Sequence, residues 1–356
     1  MIISRTPFRI SFFGGGTDYP AWYLKNGGCV LSCTINKYCY ITMRYLPPFF
    51  EHRIRLVYSN IENCQHFSEI QHPSARETLR YLDFDRGLEI HHDGDLPARS
   101  GMGSSSSFTV GMLNACYGLQ GKMVNKRQLA MESIHIEQDL IKETVGSQDQ
   151  VAAAFGGVNQ ILFHTSGEIE IRPLLLTMAR MEELNSHLML FYTGIKRTAS
   201  NVADSYVNDI AQKEHQLQRM QEMVEKGAGI LQGDGPITDF GALLNEAWEA
   251  KRSLSTKVTN HVVDDLYARA RQKGAIGGKI TGAGGGGFLL LFVPPKDQAS
   301  VRQALGDLLH VPFRFDFTGT QIIVYEPHLD DCSLAAGQDR ADRNICAFRE
   351  LDTVVK

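Results

Sequence analysis

The sequence predicts an α+β protein of two packed lobes, and three observations carry that reading. With 356 residues, the chain is longer than one hydrophobic core usually supports, so it should divide. Strands and helices mix in its first half, whereas helices and a small sheet fill its second, unlike a regular βαβ series. A hydrophobic share of 43% beside a charged share of 21% belongs to an ordinary globular chain, not a disordered or fibrous one. No repeat or low-complexity linker marks the division, which we place near 180, giving lobes of 1–180 and 181–356.

Taken in order, 2–13 is apolar and β-rich, 29–45 alternates β-branched and aromatic residues, and 53–58 and 87–92 are short runs bounded by turn formers. The first hundred residues therefore read as strands. The spacing predicts a helix over 104–119, opened by serines able to cap it, and a second over 126–143 with Leu129, Ile136, Leu140 and Ile141 apolar. Strands at 157–163 and 169–171 flank a Ser166-Gly167 turn. A buried strand at 187–192 precedes a polar helical stretch over 200–232, whose Glu-, Gln- and Lys-rich part from 208 to 226 reads as an outer, solvated helix, and helices near 240–254 and 262–272. A glycine-dense loop over 277–287, a strand at 288–293, a helix, and strands near 313–317 and 321–325 complete the pattern.

Several function classes are disfavoured at once. A net charge of −4 without a long basic run argues against nucleic acid as the main partner. No stretch of about eighteen apolar residues predicts a membrane span, and the N-terminus lacks a cleavable apolar region. Cys29, Cys33, Cys39, Cys64, Cys116, Cys332 and Cys346 are odd in number and form no Cys-x-x-Cys pair, which predicts buried reduced thiols in a cytoplasmic protein. His91-His92-Asp93-Gly94-Asp95 looks metal-like, but adjacent strand residues point to opposite faces and cannot converge on one ion.

Three glycine-rich motifs carry the chemistry. In the first, Pro97, Arg99, Ser100, Gly101, Met102 and Gly103 run straight into Ser104, Ser105, Ser106 and Ser107 at a helix start. Such a loop presents backbone N–H groups at the positive end of a helix dipole and so predicts a phosphate cradle. It is not a Walker A loop, since no Gly-Lys-Ser/Thr follows at the required spacing. The second, Gly14, Gly15, Gly16, Thr17, Asp18 and Tyr19, follows a strand, where glycines admit a ligand close to the backbone and Asp18 can accept hydrogen bonds from hydroxyls. A capped tight turn at a helix start is its ordinary alternative. The third holds Thr281, Gly282, Gly284 and Gly287. It satisfies Gly-x-Gly-x-x-Gly yet leads into a strand instead of a helix, so a dinucleotide fold is excluded by context.

Together, in this order and spacing, these motifs resemble the galactokinase, homoserine kinase, mevalonate kinase and phosphomevalonate kinase superfamily, the GHMP kinases, over nearly the whole chain to about residue 326. The resemblance implies a two-lobed fold, with an N-terminal lobe like ribosomal protein S5 and a ferredoxin-like C-terminal lobe. ATP and substrate would meet between them. The segment from Thr6 to Tyr19 and Gly146-Ser-Gln-Asp-Gln150 look like the sugar-1-kinase branch, above all the D-glycero-α-D-manno-heptose 7-phosphate kinases. Fucose-type kinases share related versions. Galactokinases carry Gly-Glu-His-Thr-Asp where this chain has Gly14-Gly-Gly-Thr-Asp18, which sets galactose apart.

The same resemblance implies site residues for an ATP- and Mg²⁺-dependent transfer to a sugar or sugar phosphate. The loop from Pro97 to Ser107 would bind ATP, and Ser105, favoured over Ser104, would help hold Mg²⁺. Mg²⁺ takes one or two carboxylates beside phosphate oxygens and waters. Glu137 matches the family position for that second ligand, with Asp139 and Glu132 as neighbouring alternatives. Asp149 would face the acceptor hydroxyl, as a base or as an orienting group, and Arg9 would stabilise charge at the reacting centre. Gly15, Gly16, Thr17, Asp18, Tyr19, Thr281, Gly282 and Gly284 would line the substrate. Lys196, Arg197 and Lys37 are candidates for a distal phosphate. The tail 330–356 carries no functional assignment beyond a neighbouring lobe or subunit to wrap, which leaves a homodimer open.

Overall fold

The computed structural model describes residues 1–47, 49–195 and 213–326. Two long strands organise it. β1 (Ile2–Phe13) and β2 (Gly28–Tyr45) pair antiparallel from Ile2 opposite Met43 to Phe13 opposite Leu31. Their register slips at Pro7, which has no N–H to give, and again at Phe12, carried as an extra residue between the Ser11–Ser32 and Phe13–Leu31 pairs. β3 (Ile54–Val57), β4 (Ile61–Cys64) and β5 (Leu88–Gly94) extend the sheet beyond β2, and β6 (Val158–Phe163) with β7 (Ile169–Pro173) joins along the other part of β2. The turn at Gly167 has the left-handed φ of 87° that glycine permits.

The first hundred residues are not all strand. α1 (Pro20–Asn26) and α2 (Pro73–Tyr81) interrupt them, each with proline in its first turn, where the missing N–H costs nothing. That proline signal was readable, but each helix is too short to impose a period of its own. α3 (Ser104–Leu119) is buried nearly all round and lies on the β1–β2 face. Its Gly111 makes the close approach possible: Ser4 Oγ donates to its carbonyl at 2.7 Å, and a Cβ there would lie 2.8 Å from Thr6 Oγ1. The expected helix over 126–143 is α4 (Lys126–His135) followed by a π-helical turn, Ile136–Leu140, closed by Ile141 N–H bonding the Ile136 carbonyl at 2.9 Å.

His72 caps α2, its Nδ1 accepting from Ala75 N–H at 3.3 Å, while its ring packs on Phe108 of α3. Burial, with the charge of His92 behind it, pushes its pKa down to about 4. An unfolded chain protonates this histidine near 6.5, well before the folded one does, so stability falls as pH drops through that window. His72→Asn keeps a capping oxygen but cannot titrate. Wild type should lose about 2 kcal/mol relative to that variant between pH 8 and pH 5, measured by urea titration.

α5 (Gln148–Phe155) runs beneath the first sheet, and α6 (Met178–His187) leads into β8 (Leu188–Tyr192). After it, α7 (Glu214–Gln232), α8 (Thr238–Arg252) and α9 (His261–Gln272) precede β9 (Gly277–Ile280) and β10 (Phe288–Phe292); α10 (Gln298–Ala304) precedes β11 (Leu309–His310). β11, β8, β10 and β9, in that order, make a second, antiparallel sheet with its own core around Trp248, Val258, Tyr267, Leu289 and Leu291. The glycine-dense stretch is thus part strand, because 277–280 pairs with β10. β12 (Phe315–Asp316) and β13 (Gln321–Tyr325) return to the first sheet, against β2 and β1. Phe240 of α8 meets Phe12 and Phe13 edge-on at 5.3 and 5.1 Å and continues toward Phe292, so one apolar seam joins the sheets.

Candidate active site

Arg9 lies on β1 and is buried. Its Nε and Nη2 donate to Oδ1 and Oδ2 of Asp149, both at 2.7 Å, and Nη1 donates to the Gly101 carbonyl at 2.8 Å. A bidentate guanidinium–carboxylate pair fixes both planes at once. Arg9 is therefore no surface cation. Asp149, in the first turn of α5, does not cap that helix; Ser147 occupies the capping position, and the Asp149 carboxylate keeps a quarter of its side chain open.

The loop 97–103 meets the third glycine motif backbone to backbone. A Cβ on Gly101 would lie 2.5 Å from the Thr281 carbonyl, and one on Gly287 would lie 2.1 Å from the Ser100 carbonyl. Phe288 N–H bonds Ser100 O at 3.3 Å, and β10 follows at once, confirming that no helix opens at these glycines. Gly103, with φ of 74°, takes the N-cap of α3, so the serines do not cap it as expected. They divide instead. Ser106 Oγ donates to Glu137 at 2.9 Å and Ser107 Oγ to the Pro7 carbonyl at 3.0 Å, while Ser105 is exposed at the helix entrance beside Ser104. Arg99 holds a left-handed φ of 59° on the exposed side of the loop.

The second motif builds a buried polar cluster. Asp18 Oδ1 accepts from Gly16 N–H at 2.9 Å and Oδ2 from Gln148 Nε2 at 2.9 Å, while Thr17 Oγ1 donates to the Gly14 carbonyl at 2.8 Å. Tyr19, not Thr17 or Asp18, occupies the N-cap position of α1. Gly146 is glycine because a Cβ would lie 1.9 Å from Asp18 Oδ2. Burial pushes the Asp18 carboxyl up, opposed by the Gly16 amide, and the charge of Asp149 adds to the rise. Ser11 Oγ, Ser32 Oγ and Gln148 Oε1 are buried here without a partner among the described residues. Such atoms suit a hydroxylated ligand.

Glu137, on the π-helical turn, is fully buried, not a solvated helix face. Its Oε1 accepts from Thr109 Oγ1 at 2.7 Å and its Oε2 from Ser106 Oγ and Gln150 Nε2. Burial lifts its pKa to about 7. Asp139 turns outward to His135 and Glu132 to the Tyr117 hydroxyl near the far end of α3, so of the three carboxylates only Glu137 reaches the serine-bearing start of that helix. A buried carboxylate with no basic partner among the described residues, bonded to Ser106 next to the exposed Ser105, fits a hard dication.

Sequence reasoning missed Thr109, Gln148, Gln150, Lys251 and Lys279, all of which touch these groups or loops. Gln148 and Gln150 flank Asp149, a signal that was available. Lys251 Nζ, buried on α8, holds the Gly282 carbonyl, and that link is invisible along the chain. Lys37 sits mid-way along β2, and Lys196 and Arg197 lie outside the described residues. His91 pairs with Glu89 while His92 packs on Phe108, and no cluster of three metal-ligating side chains occurs among the described residues.

Two family models match, the GHMP kinases N terminal domain over 70–157 and the GHMP kinases C terminal region over 220–310, together half of the chain. The chain belongs to the GHMP kinases. It is an ATP-dependent phosphotransferase with an alcohol as acceptor. The N-terminal match spans the phosphate loop, Glu137 and Asp149; the C-terminal match spans 277–287. Among similar GHMP kinases is the D-glycero-alpha-D-manno-heptose 7-phosphate kinase of Campylobacter jejuni, 28% identical over 324 residues that cover 85% of this chain and 93% of that one. The L-fucokinase/L-fucose-1-P guanylyltransferase of Bacteroides fragilis is 26% identical over 85% of this chain and 35% of its own length. A solved D-glycero-D-manno-heptose 1-phosphate kinase from Bacteriodes thetaiotaomicron shares the fold with a TM-score of 0.75 at 23% identity, covering 92% of this chain and all of that one. No described helix is long and apolar enough to cross a membrane.

Proposed function

We propose that this GHMP kinase is a sugar 1-kinase that transfers the γ-phosphoryl group of ATP to the anomeric hydroxyl of D-glycero-D-manno-heptose 7-phosphate, giving the 1,7-bisphosphate. The observation that carries the reading is the Arg9–Asp149 pair, set between the phosphate loop at Gly101 and the polar pocket at Asp18. The Campylobacter relative supports the choice of sugar. Asp149 orients the acceptor hydroxyl and takes its proton as the O–P bond forms and the bond to ADP breaks; a loose transition state leaves that proton transfer late. Arg9 holds the Asp149 carboxylate in place and offers positive charge to the transferring oxygens. The backbone of 100–103 and the hydroxyls of Ser104 and Ser105 cradle the phosphates. Ser105 and Glu137 would hold Mg²⁺, which neutralises phosphate charge when bound. Thr281, Gly282 and Gly284 close the far side. The buried, free Cys29, Cys33, Cys39, Cys64 and Cys116 support a reducing, cytoplasmic setting.

ADP release, coupled to NADH oxidation, tests this across heptose 7-phosphate, mannose, fucose and galactose. Selective turnover of the 7-phosphate is expected. Selective turnover of fucose would move the acceptor to the free hexoses, and no ADP with any sugar would overturn the sugar-kinase reading.

A further inference from the structure

Lys279 is the one residue of β9 whose side chain crosses to the first sheet. It is 3% exposed, and its Nζ donates to the Phe12 carbonyl at 2.8 Å. Phe12 is the extra residue of the β1 bulge, paired with neither β2 nor β13. A bulge removes a backbone carbonyl from the ladder, and a buried carbonyl needs a donor. Lys279 supplies one at a considerable cost. No carboxylate forms an ion pair with it among the described residues, and burial, reinforced by the charge of Arg9, pushes its pKa down to about 7. A neutral donor or a repaired register would satisfy Phe12 more cheaply, so the arrangement calls for another explanation.

Its position supplies one. Two residues beyond Phe12 the glycine turn 14–16 begins, leading to Asp18. Two residues beyond Lys279 lies Thr281, where 281–287 settles on Ser100 and Gly101 of the phosphate loop. We propose that Lys279 is a positioning residue that pins the β1 bulge and so holds the acceptor turn 14–18 in fixed relation to the loop over the donor phosphates. Through it, one strand of the second sheet sets the distance between the two substrates. The inference rests on the reading of 14–18 as the acceptor pocket.

Hydrogen exchange read by mass spectrometry, with steady-state kinetics on the same proteins, tests it. In Lys279→Met, peptides over 12–19 should exchange about tenfold faster, the loss of one charged hydrogen bond, while peptides from α3 and β10 keep wild-type rates. The melting temperature should stay at or above wild type, because an unpaired buried ammonium is gone. KM for heptose 7-phosphate should rise about tenfold and KM for ATP change less than about twofold. Lys279→Gln, which keeps an N–H donor, should recover most of the protection and also covers a failure of the methionine variant to fold. Unchanged exchange at 12–19 in both variants, or equal acceleration in all peptides, overturns the proposal. Wild type inactive on every sugar would instead sink the acceptor reading, and the exchange data would still decide the clamp.

Discussion

Asp149→Asn lowers turnover by about 10²–10⁴-fold while ATP binds within about twofold of wild type. The substitution preserves shape, but its amide cannot accept the hydroxyl proton and presents an NH₂ to a guanidinium that now bonds two carboxylate oxygens at 2.7 Å. Arg9 is left buried beside a neutral group, with the Gly101 carbonyl and one amide oxygen as its acceptors. Breaking a buried pair of this kind costs roughly 3–5 kcal/mol, less here because the Asp149 side chain is 24% exposed. The melting temperature should fall modestly, and the turnover loss should persist at temperatures where the variant is fully folded. Calorimetry with a non-hydrolysable ATP analogue separates the two effects. Near-normal turnover would show that another group faces the acceptor.

Gly101→Ala should be nearly as damaging by a different route. Gly101 has φ of 82°, a conformation that costs an L-residue about 1–2 kcal/mol. The new methyl would also lie 2.5 Å from the Thr281 carbonyl, and forcing apart packed backbone costs about 1–3 kcal/mol more. The two loops must separate. ATP affinity should weaken at least about tenfold, and the melting temperature should drop together with it. Gly121→Ala is the matched control: its φ is 70°, yet no described residue lies within 4 Å of the new methyl, so it meets only the backbone strain. Equal effects from the two substitutions would mean that the phosphate loop and 281–287 are not in working contact.

What was legible in the sequence followed the range of the forces involved. The helix at 104–119 and the strands at 2–13, 158–163 and 321–325 carry long or strongly apolar local patterns, and the structure places them where those patterns end. α1 and α2 escaped because two turns are too few to show a period against a β-rich background. The four serines looked alike along the chain. Only the rotation of α3 against the sheet sends Ser106 and Ser107 inward and leaves Ser105 at the mouth. Glu137 and Asp139 were likewise inseparable by spacing. The π-helical turn buries the first and exposes the second.

The sequence by itself determined the parts: three glycine-rich loops of defined order, a serine-rich helix start, an arginine on a strand and an aspartate near a small-residue run, enough to place the chain among the GHMP kinases. Tertiary structure alone decided how they meet. Arg9 and Asp149 stand 140 residues apart, Lys279 and Phe12 stand 267 apart, and Ser100 and Thr281 stand 181 apart. No local preference encodes such pairs. They form because two sheets share the Phe12, Phe13 and Phe240 seam, and burying that seam brings the loops above it together.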